Sequence, residues 1–136
     1  MQKLEIKNRL DDLEAVSEWV NDCADRFQLT PKCAFRLDLI LSEAITNVIQ
    51  NAYRDEVDHI ILITLEPKGN TVITELQDDG FPFDPTQNPA ITLPTSLETA
   101  TEGGLGIHLI RSYTEALYYR RQDDRNILTM IVSNAD

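Results

Sequence analysis

The chain has 136 residues, 42% of them hydrophobic and 26% charged, which suits one soluble domain, residues 1–136, with a real buried core. Its 23 Asp and Glu against 12 Lys and Arg leave a net charge of -11, a surface that repels phosphate backbones and anionic lipid, so nucleic acid and membrane are not expected partners, whereas a basic protein is allowed. No apolar stretch approaches the roughly 18 residues of a membrane span, and MQKLEIKNRL lacks a signal-peptide core, so the expected compartment is the cytoplasm.

At the N-terminus, Leu4 and Ile6 alternate with charged residues, the pattern of a short half-exposed strand. From Asp11 to about Phe27, Leu13, Val16, Trp19, Val20 and Ala24 recur at three and four, marking an amphipathic helix. Thr30 and Pro31 start a second helix, as N-cap and first-turn proline, and it runs to about Tyr53. HIILITLEP and NTVITELQD form a β-hairpin around Gly69 and Asn70, residues 104 to 114 read as a third helix, and EALYYRRQ and RNILTMIVS form a second strand pair turning at Asp123 and Asp124. The order β, α, α, β, β, loop, α, β, β predicts an α+β two-layer sandwich, with a mixed, mostly antiparallel sheet and helices on one face. The Thr- and Pro-rich segment at about 84–103 is long for a plain connection and reads as a mobile lid over a site.

Cys23 and Cys33 are too few for a metal or disulfide framework and read as reduced core residues. His59 and His108 are too isolated in sequence for a metal pair, and Trp19, Tyr113, Tyr118 and Tyr119 read as packing residues.

Three segments carry chemistry. In LSEAITNVIQNAY, residues 41 to 53, Glu43, Asn47 and Asn51 sit four apart in an apolar run. At about 100° per residue they form one slanted strip, beside the buried stripe of Leu37, Leu41, Ala44, Val48 and Ala52. A carboxylate there can take a proton from a nucleophile, and an Asn oxygen can coordinate a hard cation; the competing reading is a solvated face shared with Gln50 and Arg54. In LQDDGFPFDP, Asp78 followed by Gly80 is either a plain turn, with the Asp capping its own backbone and the Gly taking a positive φ, or a carboxylate at a pocket mouth poised to accept from an exocyclic amine. In EGGLGIHLIRSY, Gly103, Gly104 and Gly106 open a helix, where free N–H groups suit a phosphate. The spacing fits neither a P-loop, which needs a following Lys, nor a Rossmann fingerprint, since Leu109 stands at the third glycine.

In that order and spacing, Glu43-x-x-x-Asn47, Asp78-x-Gly80 and Gly104-x-Gly106 resemble the boxes of the ATP-binding domain shared by gyrase, histidine kinases and MutL repair proteins. FPFDP, GGLGIHLI and RNILTM further resemble the small anti-sigma factor kinases of the RsbW and SpoIIAB type, and the likeness runs from the first strand to Val132. The resemblance implies the histidine-kinase-like (Bergerat) ATPase fold, with ATP or ADP and Mg²⁺ as cofactors. It implies Glu43 as general base, Asn47 as Mg²⁺ ligand, Asn51 among the nucleotide-site residues, and Asp78 accepting from the adenine amine with Gly80 beside the base. Gly104, Leu105 and Gly106 would contact the phosphates through their backbone, and Thr129 would stand at the adenine end. Two departures stand out: Asn51 occupies a position where the family often has His, and Gly103 one where many members carry Arg.

The implied function is a serine/threonine protein kinase that binds a sigma factor, phosphorylates a STAS-type antagonist protein and forms a homodimer. An ATP-responsive partner-switching module without phosphoryl transfer is the alternative. The catalytic half of a histidine kinase is a weaker one, because no phosphoacceptor His on a dimerisation helix is expected.

Overall fold

The computed structural model describes residues 1–87 and 102–135, including all their side chains except those of 102–105. Five strands, β1 (Gln2–Lys7), β2 (Ile60–Lys68), β3 (Thr71–Asp78), β4 (Ala116–Gln122) and β5 (Arg125–Ser133), form one sheet in the order β1-β2-β3-β5-β4. Every neighbouring pair is antiparallel, so the expectation of a mixed sheet is corrected. The reason is topological: the helical crossover does make β3 and β4 parallel, but β5 lies between them and pairs antiparallel with both.

The two tight turns obey their chemistry. Gly69, at φ +60, turns β2 into β3, and Asp123 and Asp124, at φ 53 and 60, make the two-residue reversal that feeds β5 back beside β4.

Helix α1 (Leu13–Phe27) follows a short 3-10 turn at Leu10–Asp12, so the helical run read from Asp11 begins two residues later as α-helix. It buries Val16, Val20, Cys23 and Ala24 at helical spacing. Helix α2 (Pro31–Asn51) is capped by the Thr30 hydroxyl, which accepts from the Cys33 N–H at 3.0 Å, and it stops two residues short of Tyr53. Helix α3 (Glu102–Tyr113) packs against α2. The core lies between these helices and one face of the sheet, where Ile61, Ile63, Leu65, Leu76 and Met130 meet Leu37, Leu41 and Ile45. Both cysteines are free and buried in it. Among the described residues no helix is long and apolar enough to cross a membrane. The lid segment lies outside the described residues from 88 to 101, apart from its first stretch, where Pro85–Gln87 form a 3-10 turn and Arg111 of α3 donates to the Thr86 carbonyl at 2.6 Å.

Candidate functional site

The middle of α2 carries the first part of the site. Helical spacing turns Leu41, Ala44, Ile45 and Val48 into the core, and Asn47, only 3% exposed, lies at the edge of that stripe. Glu43, one turn earlier, is half-buried. The opening turns of α3 rest on this strip: a Cβ added at Gly106 would stand 3.0 Å from Glu43 Oε2, 3.3 Å from Asn47 Nδ2 and 3.4 Å from Asn47 Oδ1. Only glycine leaves both polar heads undisturbed there. The fold thus brings Glu43 and Asn47 to the backbone of the glycine segment, and the α3 backbone carries Gly104 and Leu105 in its first turn. Asn51 is not brought to this group. It is exposed, and its amide donates to the Asn47 carbonyl at 2.9 Å, back along its own helix.

The second part sits at the end of β3. Asp78 is 2% exposed, and its Oδ1 accepts two donors at 2.9 Å, the Gly80 N–H and the Asn126 side-chain amide. Burial pushes its carboxyl above the ordinary value, while the Asn126 and Gly80 donors and the more distant Arg121 pull it back, against a push from Asp79. Its Oδ2 takes part in none of these bonds, and Asp78 is among the residues that line the slot between the two parts of the site. The turn reading and the pocket reading of this segment therefore coexist: Asp78 caps Gly80 with one oxygen and offers the other. The expected positive φ at Gly80 is corrected, since Gly69 alone among the described glycines has one. Gly80 is needed for close approach instead, because a Cβ there would lie 2.4 Å from the Ala52 carbonyl oxygen at the end of α2. The neighbouring Phe81 N–H donates to that same carbonyl at 2.7 Å, and Arg121 donates to the Gly80 carbonyl at 2.7 Å.

Between the two parts lies a narrow slot with a cavity volume of only ≈ 20 Å³, about the room of one water, so a purine ring needs its walls to part; Asn47, Asp78, Asn126 and the Tyr119 hydroxyl are its polar lining, and Val48, Leu76, Phe83, Ile110 and Leu128 its apolar walls. An apolar slot with a few fixed polar groups is the form of a small-ligand site.

Thr129 does not belong to it. Its hydroxyl donates to Glu75 Oε2 at 2.8 Å on the opposite face of the sheet, which corrects the expectation that it stands at the adenine end. Asn126, 4% exposed and three residues earlier on the inward face, stands beside Asp78 in its place. Tyr119, read from sequence as packing, donates its hydroxyl to Asn126 Oδ1 at 2.5 Å. A sequence signal for Asn126 did exist, a polar residue at the start of an apolar strand, but Asn126/Leu128/Met130/Val132 and Ile127/Thr129/Ile131 are both rich in apolar residues, so alternation alone did not say which set faces inward.

Beside the Asp78 turn, His59 is less isolated than its sequence context implied. Its ring lies between Asp55 Oδ1 at 2.9 Å and Asp79 Oδ1 at 3.2 Å and stacks on Tyr53 with centroids 4.4 Å apart. The hydrogen bond to Asp55, and then Asp79, raise its pKa above the ordinary 6.5 against some loss from burial. Among the described residues no group of His, Cys, Asp and Glu is arranged to hold a metal by itself. The Glu43 carboxylate and Asn47 carboxamide, both oxygen donors, fit a hard cation that brings further ligands of its own, as Mg²⁺ does with phosphates.

Residues 6–132 match the model of the histidine kinase-like ATPase domain. The serine/threonine-protein kinase BtrW of Bordetella bronchiseptica is 32% identical over 117 residues, covering 86% of this chain and 82% of that protein. Blue-light-activated histidine kinase 2 of Erythrobacter litoralis is 26% identical over 111 residues, and here the chain spans only 29% of the relative's length. Two solved structures share the fold: the histidine kinase domain of an Erythrobacter litoralis blue-light activated histidine kinase, at 17% identity and TM-score 0.54, covering 91% of this chain and 60% of that one, and the catalytic domain of histidine kinase ThkA, at 13% identity and TM-score 0.53, covering 98% and 97%. With its antiparallel five-stranded α+β fold and its match from the first strand to the last, the chain belongs to the family of histidine kinase-like ATPase domains.

Proposed function

We propose that this domain binds ATP with Mg²⁺ and transfers the γ-phosphoryl group to a serine or threonine hydroxyl on a STAS-type antagonist protein, acting as an anti-sigma regulatory kinase that also holds a sigma factor. The observation that carries the reading is the convergence of Glu43 and Asn47 on the α3 glycine segment, at one end of a cleft whose other end is lined by Asp78. The 32% identity to a protein named as a serine/threonine kinase, over most of both chains, supports the choice of acceptor.

The division of labour follows from residue chemistry. Asp78 Oδ2 accepts from the exocyclic amine of adenine, and the apolar walls hold the ring. The backbone of Gly104, Leu105 and Gly106, the last of them beside Glu43 and Asn47, receives the phosphates. Asn47 would hold Mg²⁺, which when bound neutralises phosphate charge. Glu43 accepts the proton of the acceptor hydroxyl as the phosphoryl group leaves ADP, so the proton ends on the carboxylate. Little covalent chemistry is asked of the protein, and positioning does most of the work.

Calorimetry with MgADP and MgATP on wild type and Asp78→Asn tests the site. Wild type binding with loss of about 10- to 100-fold in the variant is expected, the range for a hydrogen bond to a charged group. A phosphotransfer assay with Glu43→Ala follows. A variant that still phosphorylates the antagonist as wild type does rules out Glu43 as the base. Nucleotide binding with no transfer by wild type favours the partner-switching module, a reading that has in its favour the turning of Asn51 onto its own helix.

A further inference from the structure

The amide of Asn126 uses every hydrogen-bonding position it has. Nδ2 donates to Asp78 Oδ1 at 2.9 Å and to the Phe81 carbonyl at 2.8 Å, while Oδ1 accepts from the Tyr119 hydroxyl at 2.5 Å and from the Phe83 N–H at 3.2 Å. Two donors on one side and two acceptors on the other leave a single orientation, since a flipped amide would turn its NH₂ toward the Phe83 N–H. With both partners engaged, Asn126 has nothing left for a ligand. Its effect falls on Asp78, a lining residue of the slot, whose Oδ1 is saturated by Asn126 and Gly80 while Oδ2 takes no part in either bond.

We propose that Asn126, held in one orientation by the Phe83 N–H and the Phe81 carbonyl and steadied by Tyr119, is a positioning residue that sets nucleobase selectivity by keeping Asp78 an acceptor with one oxygen left for a purine 6-amino group. An ionised carboxylate can only accept, so it suits the 6-amino group of adenine and is repaid nothing by a purine lacking it. Were the carboxyl to take up a proton in its buried seat, it could donate instead, and the preference would weaken. Among the groups acting on Asp78, burial favours that proton most, and the Asn126 donor is the largest influence against it. This inference rests on the adenine-nucleotide reading and names what makes that site selective.

The test compares ADP with purine riboside diphosphate, which carries hydrogen in place of the 6-amino group, on wild type, Asn126→Leu and Tyr119→Phe. Wild type should prefer ADP by about 10- to 100-fold. Asn126→Leu should bring that ratio near unity by weakening ADP more than the analogue, and Tyr119→Phe, which removes one of the two hydrogen bonds to the amide oxygen and loosens the amide, should reduce the ratio part of the way. Equal loss of both ligands, or an unchanged ratio in a folded variant, overturns the proposal. If Asn126→Leu does not fold, the ratio in Tyr119→Phe decides. A second readout needs no nucleotide: the Asp78 carboxyl, followed by carbon NMR against pH, should titrate at higher pH in Asn126→Leu, and an unmoved midpoint counts against the coupling. Wild type that binds neither nucleotide defeats the kinase reading, while the titration still reports on Asn126 and Asp78.

Discussion

At the scale of single residues, Asp78 places recognition and stability in opposition. A carboxyl whose pKa is raised by folding favours the native state at pH below its ordinary 3.8, and that advantage is lost as pH rises through the folded value. At neutral pH the buried charge is therefore a cost to the empty domain. Asp78→Asn keeps the shape, and its amide oxygen can still accept from Gly80 and Asn126 while the NH₂ takes the place of Oδ2. The variant should unfold thermally at a temperature equal to or above wild type at pH 7, yet lose nucleotide, because a donor now meets the amine. A variant that melts well below wild type contradicts this account. His59 has the ordinary sign for a histidine between acids: its raised pKa contributes stability fully present below pH 6.5 and lost as pH rises through the folded value. Asp55, lowered chiefly by its hydrogen bond to His59, works the other way, its contribution present above 3.8 and lost in acid. Urea midpoints should thus fall modestly as pH rises above about 6.5, and His59→Gln should flatten that stretch of the profile. The identical slope in both proteins would remove His59 as the cause.

At the scale of elements, the two close-packed glycines differ in what they touch. Gly80 meets the Ala52 carbonyl oxygen at 2.4 Å, which is backbone and cannot step aside, so Gly80→Ala should cost about 3 kcal/mol in urea unfolding, at the upper end of overpacking penalties. Gly106 meets the ends of the Glu43 and Asn47 side chains at 3.0 to 3.4 Å, and alanine favours the helix it sits in. Gly106→Ala should leave stability within about 1 kcal/mol of wild type and lower phosphotransfer, separating fold from function. Equal destabilisation by both substitutions would show that the α2–α3 contact is as rigid as the Gly80 turn. The elements themselves were readable in the sequence, because the periods of three to four in α1 and α2 and the turn residues Gly69, Asp123 and Asp124 are local signals. What was not readable depends on neighbours far away in the chain. Thr129 and Asn126 trade places only once β5 is known to slot between β3 and β4, and the need for glycine at 80 arises from Ala52, not from its own turn. Asn51 shares a helix face with Glu43 and Asn47, yet its amide finds a carbonyl in its own helix first.

At the scale of the whole molecule, the cleft is the place where distant parts of the chain meet: Val48 from α2, Leu76 from β3, Ile110 from α3, and Leu128 from β5 all wall it. None of these walls exists in the unfolded chain, so a ligand there binds the native state alone and stabilises it by mass action. At a free MgADP concentration 100 times Kd the gain is about 2.7 kcal/mol, which for a domain of this size raises the thermal midpoint by about 10 °C. Because the contributing elements span most of the chain, the whole transition should move as one, with no part left melting at the ligand-free temperature. Asp78→Asn should show no such rise at the same concentration. A wild-type midpoint that stays fixed as MgADP is increased would mean that the cleft does not take the nucleotide, and a transition that splits in two would mean that the ligand bridges only one part of the fold.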